Sequence, residues 1–143
     1  MVEDFRKEWV LMVDGAARGN PGEAGCGAAI YDESGKLLRE LCRYLGHATN
    51  NVAEYEGLLM GLEGALELGG KKVQVQSDSQ LLVRQLNGLY RVKDEKLKKL
   101  HEKAVALLRQ FDSYRIIHIG REKNRRADRL ANQAIDGAHH KPK

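Results

Sequence analysis

Four acidic residues, far apart in a chain of 143, stand where ordinary structural roles explain them poorly: Asp14, Glu54, Asp78 and Asp128. Asp14 directly continues the apolar run WVLMV, Trp9 to Val13. An ionised carboxylate at the end of a buried strand is costly unless a cation or several donors compensate it. The alternative is a turn-forming Asp before Gly15. Glu54 gives the clearest geometric case. On a helix from Val52 to Leu68, Glu63 and Glu67 fall within about 20° of Glu56 and mark the solvent face with it, whereas Glu54 points about 160° away from Glu56, with Leu58 and Ala65. The helix macrodipole favours an acid in the first turn but does not turn it inward. Asp78 closes VQVQSD, where it could instead cap the next helix. Asp128 has Ala131 and Ile135 at i+3 and i+7 and so borders an apolar face, with an ion pair to Arg125 or Arg129 as its alternative.

Carboxylates brought together raise one another's pKa values, so such a cluster makes sense when divalent metal neutralises it. Oxygen ligands without His or Cys select Mg²⁺ or Mn²⁺ over zinc. Two such ions about 3.5–4 Å apart form the clamp that in-line phosphoryl displacement requires. Other chemistries find no support. GNPGEAGCG lacks both GxGxxG and GK[ST], and Gly15-Ala16 after Asp14 excludes a DxD phosphatase. Cys26 and Cys42 have no metal-ligand spacing and read as small buried thiols, although a hairpin closed at Glu33-Ser34-Gly35 would set them opposite each other.

The elements that must position the acids follow from pattern. WVLMV reads as a central strand covered on both faces. Residues 25–31 and 36–45 form two more strands joined by the turn Asp32 to Gly35, after a loop containing Asn20-Pro21-Gly22. Thr49-Asn50-Asn51 offers capping side chains for the helix that Gly69-Gly70 stops. Val73 and Val75 then alternate into Asp78 as a strand. Two helices at 79–87 and 95–110, a strand at 114–119 and a helix at 124–135 complete the order βββαβααβα, an α/β layer structure with a mixed sheet.

The size suits one domain, 1–143, with residues 1–7 and 138–143 expected as frayed tails. The net charge of +4 conceals an asymmetry: residues 1–83 hold 8 basic against 13 acidic side chains, and residues 84–143 hold 16 against 7. A basic C-terminal part points to a polyanionic partner, although Lys96, Lys98, Lys99 and Lys103 by themselves read as a solvated helix face. No run approaches the roughly 18 apolar residues of a membrane span, and Met1 to Glu8 has no apolar signal region, so a cytoplasmic location is expected.

The pieces VDGAARGNPGEAGCGAAI (13–30), TNNVAEYEGL (49–58), SDSQ (77–80) and NRRADRLAN (124–132) together resemble type I ribonuclease H, in a short form without the basic protrusion. That resemblance implies a five-stranded mixed sheet with the first three strands antiparallel. It implies an endonuclease that cuts the RNA strand of RNA–DNA hybrids, leaving 5′-phosphate and 3′-hydroxyl ends. Asp14, Glu54, Asp78 and Asp128 would hold two Mg²⁺ ions, with Mn²⁺ as a substitute and Asp14 bridging both. Asn20, Asn50 and Gln80, with Asn51 beside them, match minor-groove readers of 2′-hydroxyls, and Thr49 matches a contact to the DNA-strand phosphate. As structural roles, Asn20 would form a turn and Asn50 would cap a helix.

Two departures stand out. Many bacterial members carry a Trp-containing basic protrusion, but QLNGLYRVKDEK (85–96) is short and has no Trp, so affinity is either weaker or borne by Lys and Arg of 91–103. The family's mobile-loop His, which aids product release, falls in a compressed HIGREKN, where His118, Arg121 and Glu122 are the candidates. A nuclease of related fold and other specificity, including for double-stranded RNA, and an inert hybrid-binding domain are the competing readings. A monomer is expected.

Overall fold

The computed structural model describes residues 7–138; the expected tails, 1–7 and 138–143, lie outside the described residues except for Lys7 and Ala138. Its elements are β1 (Trp9–Gly19), β2 (Gly22–Tyr31), β3 (Leu37–Ala48), α1 (Asn50–Glu67), β4 (Lys72–Ser77), α2 (Gln80–Leu86), α3 (Glu95–Leu108), β5 (Ser113–His118) and α4 (Arg125–Ala138), with a single 3-10 turn at Arg121–Lys123. They form one five-stranded mixed sheet in the order β3-β2-β1-β4-β5. β1, β2 and β3 pair antiparallel, and β4 lies parallel between β1 and β5. The βββαβααβα order and the central place of WVLMV are as the sequence predicts. α4 runs through Ala138.

The largest departure is at the first hairpin. Residues 17–19 and 22–24 read as loop, yet both are strand, and only Asn20 and Pro21, joined by a cis peptide bond, separate Gly19 from its partner Gly22. Small residues are present because helices lie directly on this backbone. A Cβ on Gly15 would come within 2.3 Å of the Ala53 carbonyl carbon of α1, and one on Gly57 within 2.7 Å of Asp14 O. On the other face a Cβ on Gly27, the cross-strand partner of Asp14, would meet Ala127 O of α4 at 2.5 Å. Bare backbone lets α1 and α4 approach β1 and β2 more closely than side chains would permit.

The core between the sheet and α1 is built from Leu11, Val13, Ile30, Leu58, Leu62, Val73 and Val75, closed by Leu97, Leu100 and Leu108 of α3. The register shift at Ile30/Tyr31 puts Cys26 opposite Arg43 and Cys42 opposite Gly27. The two cysteines are free thiols, Cys26 buried and Cys42 exposed, so the expectation that both are buried fails for Cys42. No helix is long and apolar enough to cross a membrane among the described residues.

Candidate active site

β4 pairs with β1 only from Trp9 to Met12, and beyond that point the outer edge of β1 has no strand beside it. Backbone groups there still require partners. Side chains supply them: Asn124 Nδ2 donates to Val13 O at 2.9 Å, Gly15 N donates to Glu54 Oε2 at 3.1 Å, and Ala17 N donates to Asn50 Oδ1 at 3.0 Å. The site is assembled on this splayed edge.

Each acid arrives from a different element. Asp14 is mid-strand in β1, which removes the turn-forming alternative. Gly15 faces α1, so alternation turns Asp14 to the α4 face, where Ala127 packed on Gly27 brings the next residue, Asp128, beside it. Glu54 points inward as its helical position predicts and is 9% exposed. Asp78 follows β4, but Ser79 makes the cap of α2 through Oγ and Leu82 N, so Asp78 is released from the capping role. Ligand oxygens of Asp14, Glu54 and Asp78 lie within 4.8 Å of one another.

Asp128 interacts electrostatically with Asp14 and lines the same open cleft of about 360 Å³. Its neighbours at i+3 and i+7 predict a place bordering the apolar face, yet Asp128 itself is exposed, at the rim of the cleft. Among the described residues Arg125 and Arg129 form no ion pair with it, whereas Arg126 between them binds Glu40.

The electrostatics follow from this crowding. Burial first, then the charge of Asp78 and the interaction with Asp128, push the Asp14 carboxyl up to about 8. Burial, then the charges of Asp14 and Asp78, hold the Glu54 carboxyl well above the usual range, opposed by Gly15 N–H and by the positive charge of Arg121. Such a group of oxygens, short of positive charge, suits a hard divalent cation in its donor chemistry and spacing.

The expected groove readers are partly gathered. Asn50 and Asn51 line the carboxylate cleft, and Asn51 also lines an adjoining cleft of about 470 Å³ with Asn20, Thr49, His47 and Lys96. Lys96 therefore faces a groove, whereas its pattern placed it on a solvated face. Thr49 and not Asn50 caps α1, accepting from Val52 N at 3.2 Å. Asn20 Oδ1 accepts from Asn50 N, which ties the hairpin loop to the helix start. Gln80 is exposed in the first turn of α2 and lines neither cleft. Of the loop candidates, Arg121 lines the carboxylate cleft, His118 ends β5 opposite Ser77, and Glu122 lies beside Gly120. Pattern reading passed over Asn124; its place four residues before Asp128 was the available signal.

A family model described as reverse transcriptase-like matches residues 12–134. The bifunctional protein Rv2228c of Mycobacterium tuberculosis is 45% identical over 130 residues, 90% of this chain and 36% of its own length. Ribonuclease HI of Halobacterium salinarum is 42% identical over 125 residues, 87% of this chain and 63% of its own. The chain thus spans little more than a third of the mycobacterial relative. The crystal structure of LC11-RNase H1 in complex with an RNA/DNA hybrid superposes with a TM-score of 0.88 at 44% identity, covering 93% of this chain and all (100%) of that one. By this likeness in sequence, sheet topology and length, the chain belongs to the ribonuclease H family.

Proposed function

We propose that this protein is an endonuclease that hydrolyses the RNA strand of RNA–DNA hybrids, leaving 5′-phosphate and 3′-hydroxyl ends, with Asp14, Glu54, Asp78 and Asp128 as its catalytic metal ligands. The observation that carries the reading is the meeting of these carboxylates, from β1, α1, the end of β4 and α4, in one open cleft. Two Mg²⁺ ions, replaceable by Mn²⁺, would supply a nucleophile from water at neutral pH and offset charge on the departing oxygen. Asp14, reached by the other carboxylates from both sides, is the natural bridge. Glu54 is held by Gly15 N–H, which keeps one of its oxygens at a fixed place relative to Asp14.

The hybrid would lie across both clefts. Asn20 and Asn50 spend their Oδ1 atoms on backbone N–H groups, which leaves their Nδ2 donors for ribose hydroxyls and carries no base code. Asn51 and Gln80 extend that row, and Thr49 with Lys96 suits a phosphate of the DNA strand. Arg121, with its charge in the cleft, is our assignment for the product-release role over His118 and Glu122. The same proposal takes residues 1–143 as one cytoplasmic ribonuclease H domain acting as a monomer.

The test is incubation of labelled RNA–DNA hybrid, double-stranded RNA and double-stranded DNA with Mg²⁺, Mn²⁺ or EDTA. Internal cleavage of the hybrid's RNA strand with either ion, and none in EDTA, is expected. Cleavage of the DNA strand, or of hybrid in EDTA, would contradict the proposal, and cleavage of double-stranded RNA would widen the substrate class.

A further inference from the structure

Three side chains take up the unpaired edge of β1 beyond β4, and two of them, Glu54 and Asn50, belong to the site as already assigned. The third is Asn124, whose relative exposure is 0%. Its Nδ2 donates to Val13 O at 2.9 Å and to Asp78 Oδ2 at 3.4 Å, while its backbone carbonyl accepts from Asp128 N at 3.1 Å. Its Oδ1 is buried with no hydrogen-bond partner among the described residues. A buried acceptor left unpaired is unfavourable, so an apolar side chain of similar size would suit the interior better. What the amide adds is its donors. Both are aimed at atoms that set carboxylate positions: Val13 immediately precedes Asp14, and Asp78 is met directly.

From this we infer that Asn124 is a positioning residue that locks the β1 edge, the Asp78 carboxylate and the first turn of α4 into one frame, so that Asp14, Asp78 and Asp128 meet a divalent cation already gathered. The inference rests on reading those carboxylates as the cation site. Asp14 and Asp78 repel each other when ionised, and without the amide they can separate; a cation then has to collect them as it binds. Groups of this kind, outside the ligand set but orienting it, are typically worth about 10–100-fold in metal affinity or activity.

Two measurements test it. In ¹⁵N-labelled wild-type protein titrated with MgCl₂, the side-chain amide signals of Asn124 should shift along the same saturation curve as the backbone signal of Gly15. Asn124→Ala, and Asn124→Leu to retain volume, should weaken calorimetric Mn²⁺ affinity about 10–100-fold and lower kcat on hybrid with KM unchanged. In an Asp78→Asn background, Asn124→Ala should cost less than about threefold more, because the two act on one carboxylate. Asn124 signals that stay fixed while Gly15 shifts, or a folded Asn124 variant with wild-type Mn²⁺ affinity and kcat, would overturn the inference. If neither variant folds, the wild-type titration decides. A wild-type protein that binds Mn²⁺ but leaves hybrid uncut would instead sink the proposed function and leave this inference standing.

Discussion

Two buried glutamates, one just before β1 and one on α1, have opposite surroundings. Glu8 is 9% exposed, as Glu54 is. Arg115 forks onto Glu8 through Nε at 2.8 Å and Nη2 at 2.5 Å, and Gln74 Nε2 donates to it at 3.0 Å. Glu54 instead faces Asp14 and Asp78, with one backbone N–H on it and the charge of Arg121 within reach. Glu8 is answered by the protein itself, and Glu54 belongs to a group that asks for a cation from outside. Burial of an acid is therefore no mark of function until its neighbours are counted.

The sharpest way to break the comparison is to neutralise one acid on each side. Asp14→Asn should lower kcat on hybrid by more than about 100-fold, beyond the range of groups that only orient ligands, with the circular dichroism spectrum kept. Glu8→Gln should leave kcat within about threefold, since losing an ion pair this far from the cleft acts on stability alone. Equal losses would remove the distinction.

Stability should move the other way. Glu8→Gln removes the buried carboxylate that Arg115 forks onto and should cost about 1–3 kcal/mol in urea unfolding of the metal-free protein, held to that range because Arg115 is 35% exposed. Glu54→Gln relieves like-charge crowding and should be neutral or stabilising by about 0.5–2 kcal/mol, at the expense of activity. A large destabilisation by Glu54→Gln would mean that the site holds the fold together in the way the Glu8 cluster does.

pH sharpens the same contrast. Asp14 titrates near 8 in the metal-free fold against a reference of 3.8. Between those values the native state binds more protons than the unfolded one, so stability falls as pH rises from about 4 to about 8. Mg²⁺ favours the ionised carboxylates, so the rise in Tm on adding it should be larger at pH 8 than at pH 5 and small at both in Asp14→Asn. Equal gains at both pH values in the wild type would contradict this. Arg121 should matter far less than Asp14. Arg121→Ala should slow steady-state turnover by no more than about tenfold, the worth of one charge-assisted contact, and should spare a single-turnover rate if it acts on product release.

How much of this the sequence disclosed depends on how local each signal was. The inward turn of Glu54 needed only the helical period, and WVLMV only its length, so both were legible. For Asp78 the sequence left capping and catalysis level, and only Ser79 taking the cap separated them. The strand through Ala16-Ala17 was hidden because it has no apolar alternation and runs straight into the turn signal Asn20-Pro21-Gly22. The Cys26 register slipped because bulges leave no mark in composition. Asn124 was passed over for a plainer reason: its partners lie 111 and 46 residues away, and a lone Asn before a helix looks like any cap.

The most direct measurement is a crystal of the wild-type protein soaked in MnCl₂ and measured at the manganese edge. An anomalous peak coordinated by Asp14, Glu54 and Asp78, absent from Asp14→Asn, is the expected result. Manganese found only elsewhere on the molecule, with that cleft clear at millimolar concentration, would contradict the reading of these acids as a metal centre.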